Sequence, residues 1–234
     1  PYGIIANPED APKAIFVSGF DSAPLAPDMN YVLADELDNL NAGFEALGKL
    51  TSGKVHLSLK AGTDGVLNKV KGVEMHAFQG PHPAGNVGVQ IHHIDPISKG
   101  DIVWTVDVQN VAIIGRLFRT GQLDMSKTLV LDGSEVADAR YFRTIAGAPI
   151  NGIFKKSNIA NQQSESEIRI ISGNVLTGTK VTMDGYLGYY HNQVTVIPEG
   201  DKYELLGWIM PRFDKFSVSH SYFSCLTPGK KYNL

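Results

Sequence analysis

The first half of the chain alternates short apolar runs with amphipathic stretches. Ala14-Ile15-Phe16-Val17-Ser18 is an apolar run that stops at Gly19, the pattern of a buried strand. Asp21 to Pro27 reads as a loop, and Asp28 is placed to cap a helix. Leu33, Leu37, Leu40, Phe44, Leu47 and Leu50 then recur three or four positions apart, which predicts one long helix with a single apolar face, ended by Ser52-Gly53. Lys54 to Leu59 alternates apolar and polar residues and predicts a strand. A short helix follows over 63–71, then a strand from Val73 to Phe78. This strand–helix order predicts a parallel sheet with crossover helices. A further strand is expected at Asp101–Val106 and a helix at Val108–Arg119, closed by Gly121.

The texture changes near residue 125. Lys127–Leu131 reads as a strand turning at Asp132-Gly133, and later β-like pieces are short: Glu167–Ile171, Lys180–Met183, Gln193–Ile197 and Tyr203–Ile209. Residues 157–166 are rich in Asn, Gln and Ser and read as a surface loop. The expected division is an α/β domain over 1–125 and a small mixed, β-rich domain over 126–234. Because the chain opens on Pro1-Tyr2-Gly3 without an initiator methionine, it is expected to be a piece of a longer protein.

Composition narrows the function. A 234-residue chain that is 43% hydrophobic buries a core without staples, which excludes disorder. Its net charge of −3 and the lack of a basic stripe argue against nucleic-acid binding. The single Cys225 excludes an intrachain disulfide or an iron–sulfur cluster held within the chain. No apolar run approaches the ~20 residues of a membrane span.

Missing motifs matter as much. No two glycines lie two apart, so the G-x-G-x-x-G dinucleotide fingerprint is absent. Gly48-Lys-Leu-Thr-Ser-Gly-Lys-Val55 approaches a phosphate-binding loop, but it has valine where a magnesium-binding hydroxyl is needed. It also lies between a helix and a strand, the reverse of the required order, and reads as a helix stop.

Two clusters stand out. His76, His82, His92, His93 and Asp95 fall within one short stretch, and His82 sits between two prolines in the turn Gly80–Gly85. Imidazoles with a carboxylate suit a transition metal, and histidine N–H groups suit the carbonyl oxygens of a quinone. Structural hydrogen bonding is the plainer reading of the same residues. If the chain is extended there, His92 and His93 point to opposite sides. The second cluster is aromatic: residues 186–223 hold nine of the 21 aromatic side chains, from Tyr186 through Trp208 to Phe223. They read as the core of the second domain, or else as a face for a partner.

Several strings carry a resemblance. Gly80-Pro-His-Pro-Ala-Gly85 through Ile91-His-His-Ile-Asp-Pro96, Gly115-Arg-Leu-Phe118, Ile171-Ser-Gly173, His191-Asn-Gln193 and Leu206-Gly-Trp-Ile-Met-Pro211 resemble the A-subunit family of the sodium-translocating NADH:quinone oxidoreductase. The resemblance implies an α/β fold: a Rossmann-like domain, then a β-grasp domain of the soluble-ligand-binding (SLBB) type with a C-terminal strand extension. It also implies a peripheral protein on the cytoplasmic face of the bacterial inner membrane, partnered by the other subunits and above all by the membrane B subunit. FMN, FAD and the 2Fe-2S centre would reside on those partners. Missing parts would be a lipoyl-like N-terminal region and a helical C-terminal region. The related NADH- and flavin-binding subunit of respiratory complex I has an acidic loop after its first strand; here Gly19–Pro24 offers only Asp21, and no glycine-rich flavin loop is present. No redox cofactor is therefore expected in this chain. Ubiquinone or menaquinone at an interface remains open, with His82, His92, His93, Asp95 and Trp208 as candidate contacts. The rival reading is a flavin- or nucleotide-binding oxidoreductase with non-standard loops.

Overall fold

The computed structural model describes residues 4–154, 168–201, 203–213, 215 and 222–226. The first sheet is parallel, built from β1 (Ala14–Ser18), β2 (Val55–Lys60), β3 (Glu74–Phe78) and β4 (Val103–Asp107) in the order β3-β2-β1-β4. Every odd residue of β1 faces one side: Ile15 and Val17 join Leu57, Leu59 and Val55 in the larger core. That side is covered by α2 (Leu37–Gly48) and α4 (Val108–Thr120), whose Leu40, Phe44, Leu47, Val111 and Ala112 complete it. Burying each of the larger side chains stabilises the fold by roughly 1.5–3 kcal/mol. The two helices nearly touch. A Cβ on Gly115 would lie 1.7 Å from the Asn39 carbonyl oxygen, so only glycine admits this approach.

The expected long helix is in fact two. Asp28 does cap a helix, accepting from the Asn30 N–H, but that helix, α1 (Met29–Val32), ends after one turn. The chain bends over 33–36 before α2 begins. Leu33 stays buried from its place at the bend, whereas Leu50, past the end of α2, is 52% exposed. The bend lets Glu36 meet Arg116 of α4 and Asn39. Over 63–71 the structure has only a 3-10 turn at Leu67–Lys69.

The other side of the sheet carries α3 (Val87–Ile94), which sets Ile91 against Ala14 and Phe16. His92 and His93 are thus helical and not extended, and their rings meet edge to face at 5.6 Å. Asn86 precedes this helix and Pro96 follows it, a pair of boundary signals that the extended alternative overlooks.

The second sheet is mixed: β5 (Ser126–Asp132), β6 (Arg140–Ile145), β7 (Ile168–Ser172), β8 (Thr179–Val181) and β9 (Gln193–Pro198), in the order β6-β5-β9-β7-β8. Leu129, Leu131, Ile168, Ile170, Val194 and Val196 pack against α5 (Ile150–Phe154) and Leu187. β6 and α5 have no counterpart among the elements expected from the sequence. Tyr203–Ile209 is a series of turns and not a strand. The expected polar loop at 157–166 lies outside the described residues. No described helix is long and apolar enough to cross a membrane.

Candidate functional site

In an open α/β sheet, ligands enter the crevice beyond the carboxyl ends of the strands, where the strand order reverses. Here that point lies between β1 and β4, where Ser18 is in register with Asp107. The loop after β1 and the turn after β3 close over it. The Ser22 hydroxyl accepts from the Gly85 N–H at 2.8 Å and pairs with His82 Nδ1 at 3.0 Å. Asp21 turns its carboxylate onto the Ala23 N–H. Gln90, only 1% exposed, donates to the Ser18 hydroxyl at 2.9 Å, and that hydroxyl lies within reach of the Phe20 and Gly85 carbonyls. A Cβ on Gly85 would sit 2.3 Å from the Ser22 nitrogen, so glycine is needed for the two loops to meet.

From the β4 side the second sheet completes the closure. Asp107 caps α4 through the Gln109 N–H and accepts from Asn192 Nδ2 at 2.8 Å. The Gln109 side chain donates to the Thr128 carbonyl and to Asn192 Oδ1 and accepts from the Thr128 N–H. Gln193 donates to the Pro24 carbonyl and to the buried Asp132. Burial pushes the Asp132 carboxyl up to about 6, with Gln193 opposing. Lys127, 2% exposed, donates to the Tyr189 carbonyl, and burial lowers its pKa. His191 binds Ser172 Oγ at 2.8 Å; burial, then the Lys127 charge, lowers its pKa. That serine is buried and also accepts from the Gly188 N–H, so the pair braces the sheet. The sequence contains all these residues but gives no sign of the pairings between loops and sheets, since those partners lie sixteen or more residues apart along the chain.

The histidine stretch does not converge. His82 is held at Ser22, His92 and His93 are exposed on the last turn of α3, and Asp95 pairs with Lys13 at 2.8 Å. His76 instead faces His56, a residue that lies outside that stretch and that spacing does not single out. Among the described residues, the one group of three side chains placed to share an ion is His56, Glu74 and His76. Parallel register sets Glu74 opposite His56 and His76 opposite Ser58 on one face. His56 Nδ1 lies 3.0 Å from His76 Nε2 and 3.3 Å from Glu74 Oε2. Phe16 stacks on the His56 ring at 4.7 Å. Burial, then the neighbouring His76, lowers the His56 pKa, while the hydrogen bond from Lys54 lowers that of Glu74.

The aromatic segment is not the core of the second sheet. Tyr186, Tyr189, Tyr190, Tyr203, Phe213 and Phe223 are exposed, and Trp208 is 74% exposed. Leu205, Leu206, Ile209 and Met210 are exposed around it. The apolar work of that unit is done by the β-branched and leucine residues of β5, β7 and β9.

Comparison with known proteins agrees with this architecture. Residues 1–123 match the family model described as the NqrA second alpha/beta domain, and residues 129–183 match that described as the NQRA C-terminal domain. Curated relatives named as the A subunit of the Na(+)-translocating NADH-quinone reductase include those of Rhodopirellula baltica, 42% identical over 100% of this chain and 51% of the relative, and of Vibrio parahaemolyticus, 38% identical over 100% and 51%. The Neisseria meningitidis serogroup C relative is 39% identical over 94% of this chain and 48% of its own. The chain thus spans about half the length of the curated relatives it matches. The fold is also similar to the crystal structure of an NAD+-reducing nickel–iron hydrogenase in the H2-reduced state, with TM-score 0.55 and 11% identity over 82% of this chain and 41% of that one. With two sheets, their α/β and SLBB assignments and relatives along its whole length, this chain belongs to the NqrA family.

Proposed function

We propose that this chain is the central part of the A subunit of a sodium-translocating NADH:quinone reductase, and that it works as a docking platform without a redox centre of its own. The observation that carries the reading is the exposed apolar segment 203–213, on a chain whose relatives bear that subunit's name. Tyr203, Leu205, Trp208 and Ile209 present large apolar area to solvent, and aromatic side chains are the usual anchors of a protein interface. The partner is the membrane part of the complex, the B subunit first, on the cytoplasmic face. The crevice where a dinucleotide would enter is spanned by the chain's own hydrogen bonds, which favours a scaffold over a flavin- or NADH-binding enzyme. A quinone would be met only at that interface, with Trp208 at the seam and the outward-facing His82, His92 and His93 as candidate N–H donors.

The test is co-purification of the full-length protein with its membrane partners from native cells. Trp208→Ala should reduce recovery of the complex at least about ten-fold, the range of a single interface anchor. Unchanged recovery, or stoichiometric flavin absorbance in the isolated full-length protein, refutes the proposal. Quinone-analogue crosslinking of the same complex, mapped to peptides, decides whether quinone reaches this chain.

A further inference from the structure

We propose that His56, Glu74 and His76 form a binding site for a divalent transition-metal ion, zinc first, on the α3 side of the first sheet, over β2 and β3. Two imidazoles and one carboxylate are donors that zinc, nickel and copper(II) favour, whereas calcium and magnesium want oxygen alone.

The three donor atoms stand within a few tenths of an ångström to about one ångström of the spacing an ion needs. Metal–ligand bonds of about 2.0–2.2 Å at tetrahedral angles put neighbouring donor atoms roughly 3.2–3.6 Å apart. His56 Nδ1 is 3.0 Å from His76 Nε2 and 3.3 Å from Glu74 Oε2, and all three donor atoms lie within 4.8 Å of one another. Without an ion, the two imidazole nitrogens face each other and can share only one proton. An ion takes the place of that proton and uses both lone pairs.

The ligands are held on strands, not on loops. Parallel pairing fixes His56 opposite Glu74 and brings His76 to the same face two residues on. Phe16 stacks on His56 and sets its ring plane. Lys54 binds Glu74 Oε1 at 2.6 Å, which leaves Oε2 directed at His56. His56 is buried while Glu74 and His76 are only half-buried, so the ion would keep an open side. Three protein ligands with an open fourth position can hold water or an outside group. Proteins that use zinc only as a structural staple close that position with a fourth side chain.

This inference stands apart from the docking proposal: the sheet face and segment 203–213 share no residue, and either can fail alone. The probe is Zn2+ itself, titrated calorimetrically into the untagged, chelator-stripped full-length protein, with Co2+ as a spectroscopic stand-in. The expected result is one equivalent bound and the visible bands of a tetrahedral Co2+ complex. His76→Gln and Glu74→Gln should each weaken binding at least about ten-fold, because the first loses an imidazole donor and the second exchanges a charged carboxylate for a neutral, weakly donating amide oxygen. His56 is buried and its replacement risks the fold, so the two half-buried ligands carry the test, with circular dichroism to verify folding. The double variant His92→Asn/His93→Asn should bind as the parent does. Absence of one-equivalent binding, equal binding by His76→Gln and Glu74→Gln, or loss of binding in the His92/His93 variant would each overturn the assignment.

Discussion

Asp132 is the sharpest place to test the packing of the second sheet. It sits at the end of β5 and is 3% exposed, with Gln193 Nε2 donating to both carboxylate oxygens at 2.9 and 3.2 Å. The Thr195 hydroxyl beside it donates to the Gly173 carbonyl. Burial therefore outweighs hydrogen bonding, and the carboxyl rises from 3.8 to about 6. A value raised in the folded state means that the fold favours the protonated form. The stability it contributes is complete below about pH 4 and lost as pH rises through about 6. The rise from 3.8 to about 6 corresponds to roughly 3 kcal/mol, the cost of holding the ionised form at pH 8. Asp132→Asn removes that charge but adds an amide N–H facing the Gln193 donor, an unsatisfied group costing about 1 kcal/mol. The variant should thus be about 2 kcal/mol more stable than the parent at pH 8 and about 1 kcal/mol less stable at pH 4. Urea unfolding of the two proteins side by side at pH 4, 6 and 8, followed by circular dichroism, measures the difference while other carboxylates cancel. A difference that keeps one sign and size at all three pH values would refute the burial argument.

Two further substitutions probe the helical layer. Gly115→Ala places a methyl group against the Asn39 carbonyl, so α2 and α4 must separate; a loss of about 2–3 kcal/mol is expected in thermal unfolding, and an unchanged midpoint would mean the helices do not approach as described. Arg116→Met strips Glu36 of its ion-pair partner and leaves the Ser126 carbonyl without its guanidinium donor, while the Ser126 hydroxyl keeps Arg143 and Glu36 keeps Asn39. Both charged side chains are only partly buried, so the loss should be about 2 kcal/mol, below the 3–5 kcal/mol of a fully buried pair, and Glu36→Met in the same chain should recover most of it.

The sequence revealed most where periodicity and burial coincide. The parallel strands and α4 follow from apolar runs and from Gly121 at the end of that helix. The bend at 33–36 stayed hidden because the leucine stripe continues through it: Leu33 and Leu40 enter one core whether or not the helix between them is continuous. The apolar pattern at 203–209 misled for another reason. A strand pattern records only which residues avoid water, and these have no partner sheet among the described residues. The histidine stretch misled because spacing along the chain is not distance in space. His82 reaches back sixty residues to Ser22, and His76 finds His56 on the adjacent strand. Register alone pairs His56 with Glu74, and register is set by the whole sheet.

The hydrogen bonds across the crevice at the ends of β1 and β4 bear directly on the scaffold proposed above. Any ligand laid across it must separate Asp107 and Gln109 from Asn192 and Thr128, four hydrogen bonds in all. At about 1 kcal/mol net for each, the opening costs about 4 kcal/mol, close to a thousand-fold in affinity. A nucleotide would have to recover that from amide-lined contacts, and the amides of the nearest loops are already taken: the Gly85 N–H by Ser22 of the facing loop, the Ala23 N–H by Asp21 of its own. The same four bonds fasten one sheet to the other. These bonds hold Asp107 and Gln109 of the first unit against Thr128 and Asn192 of the second, and the docking role proposed above for Trp208 and its neighbours would gain from that rigidity.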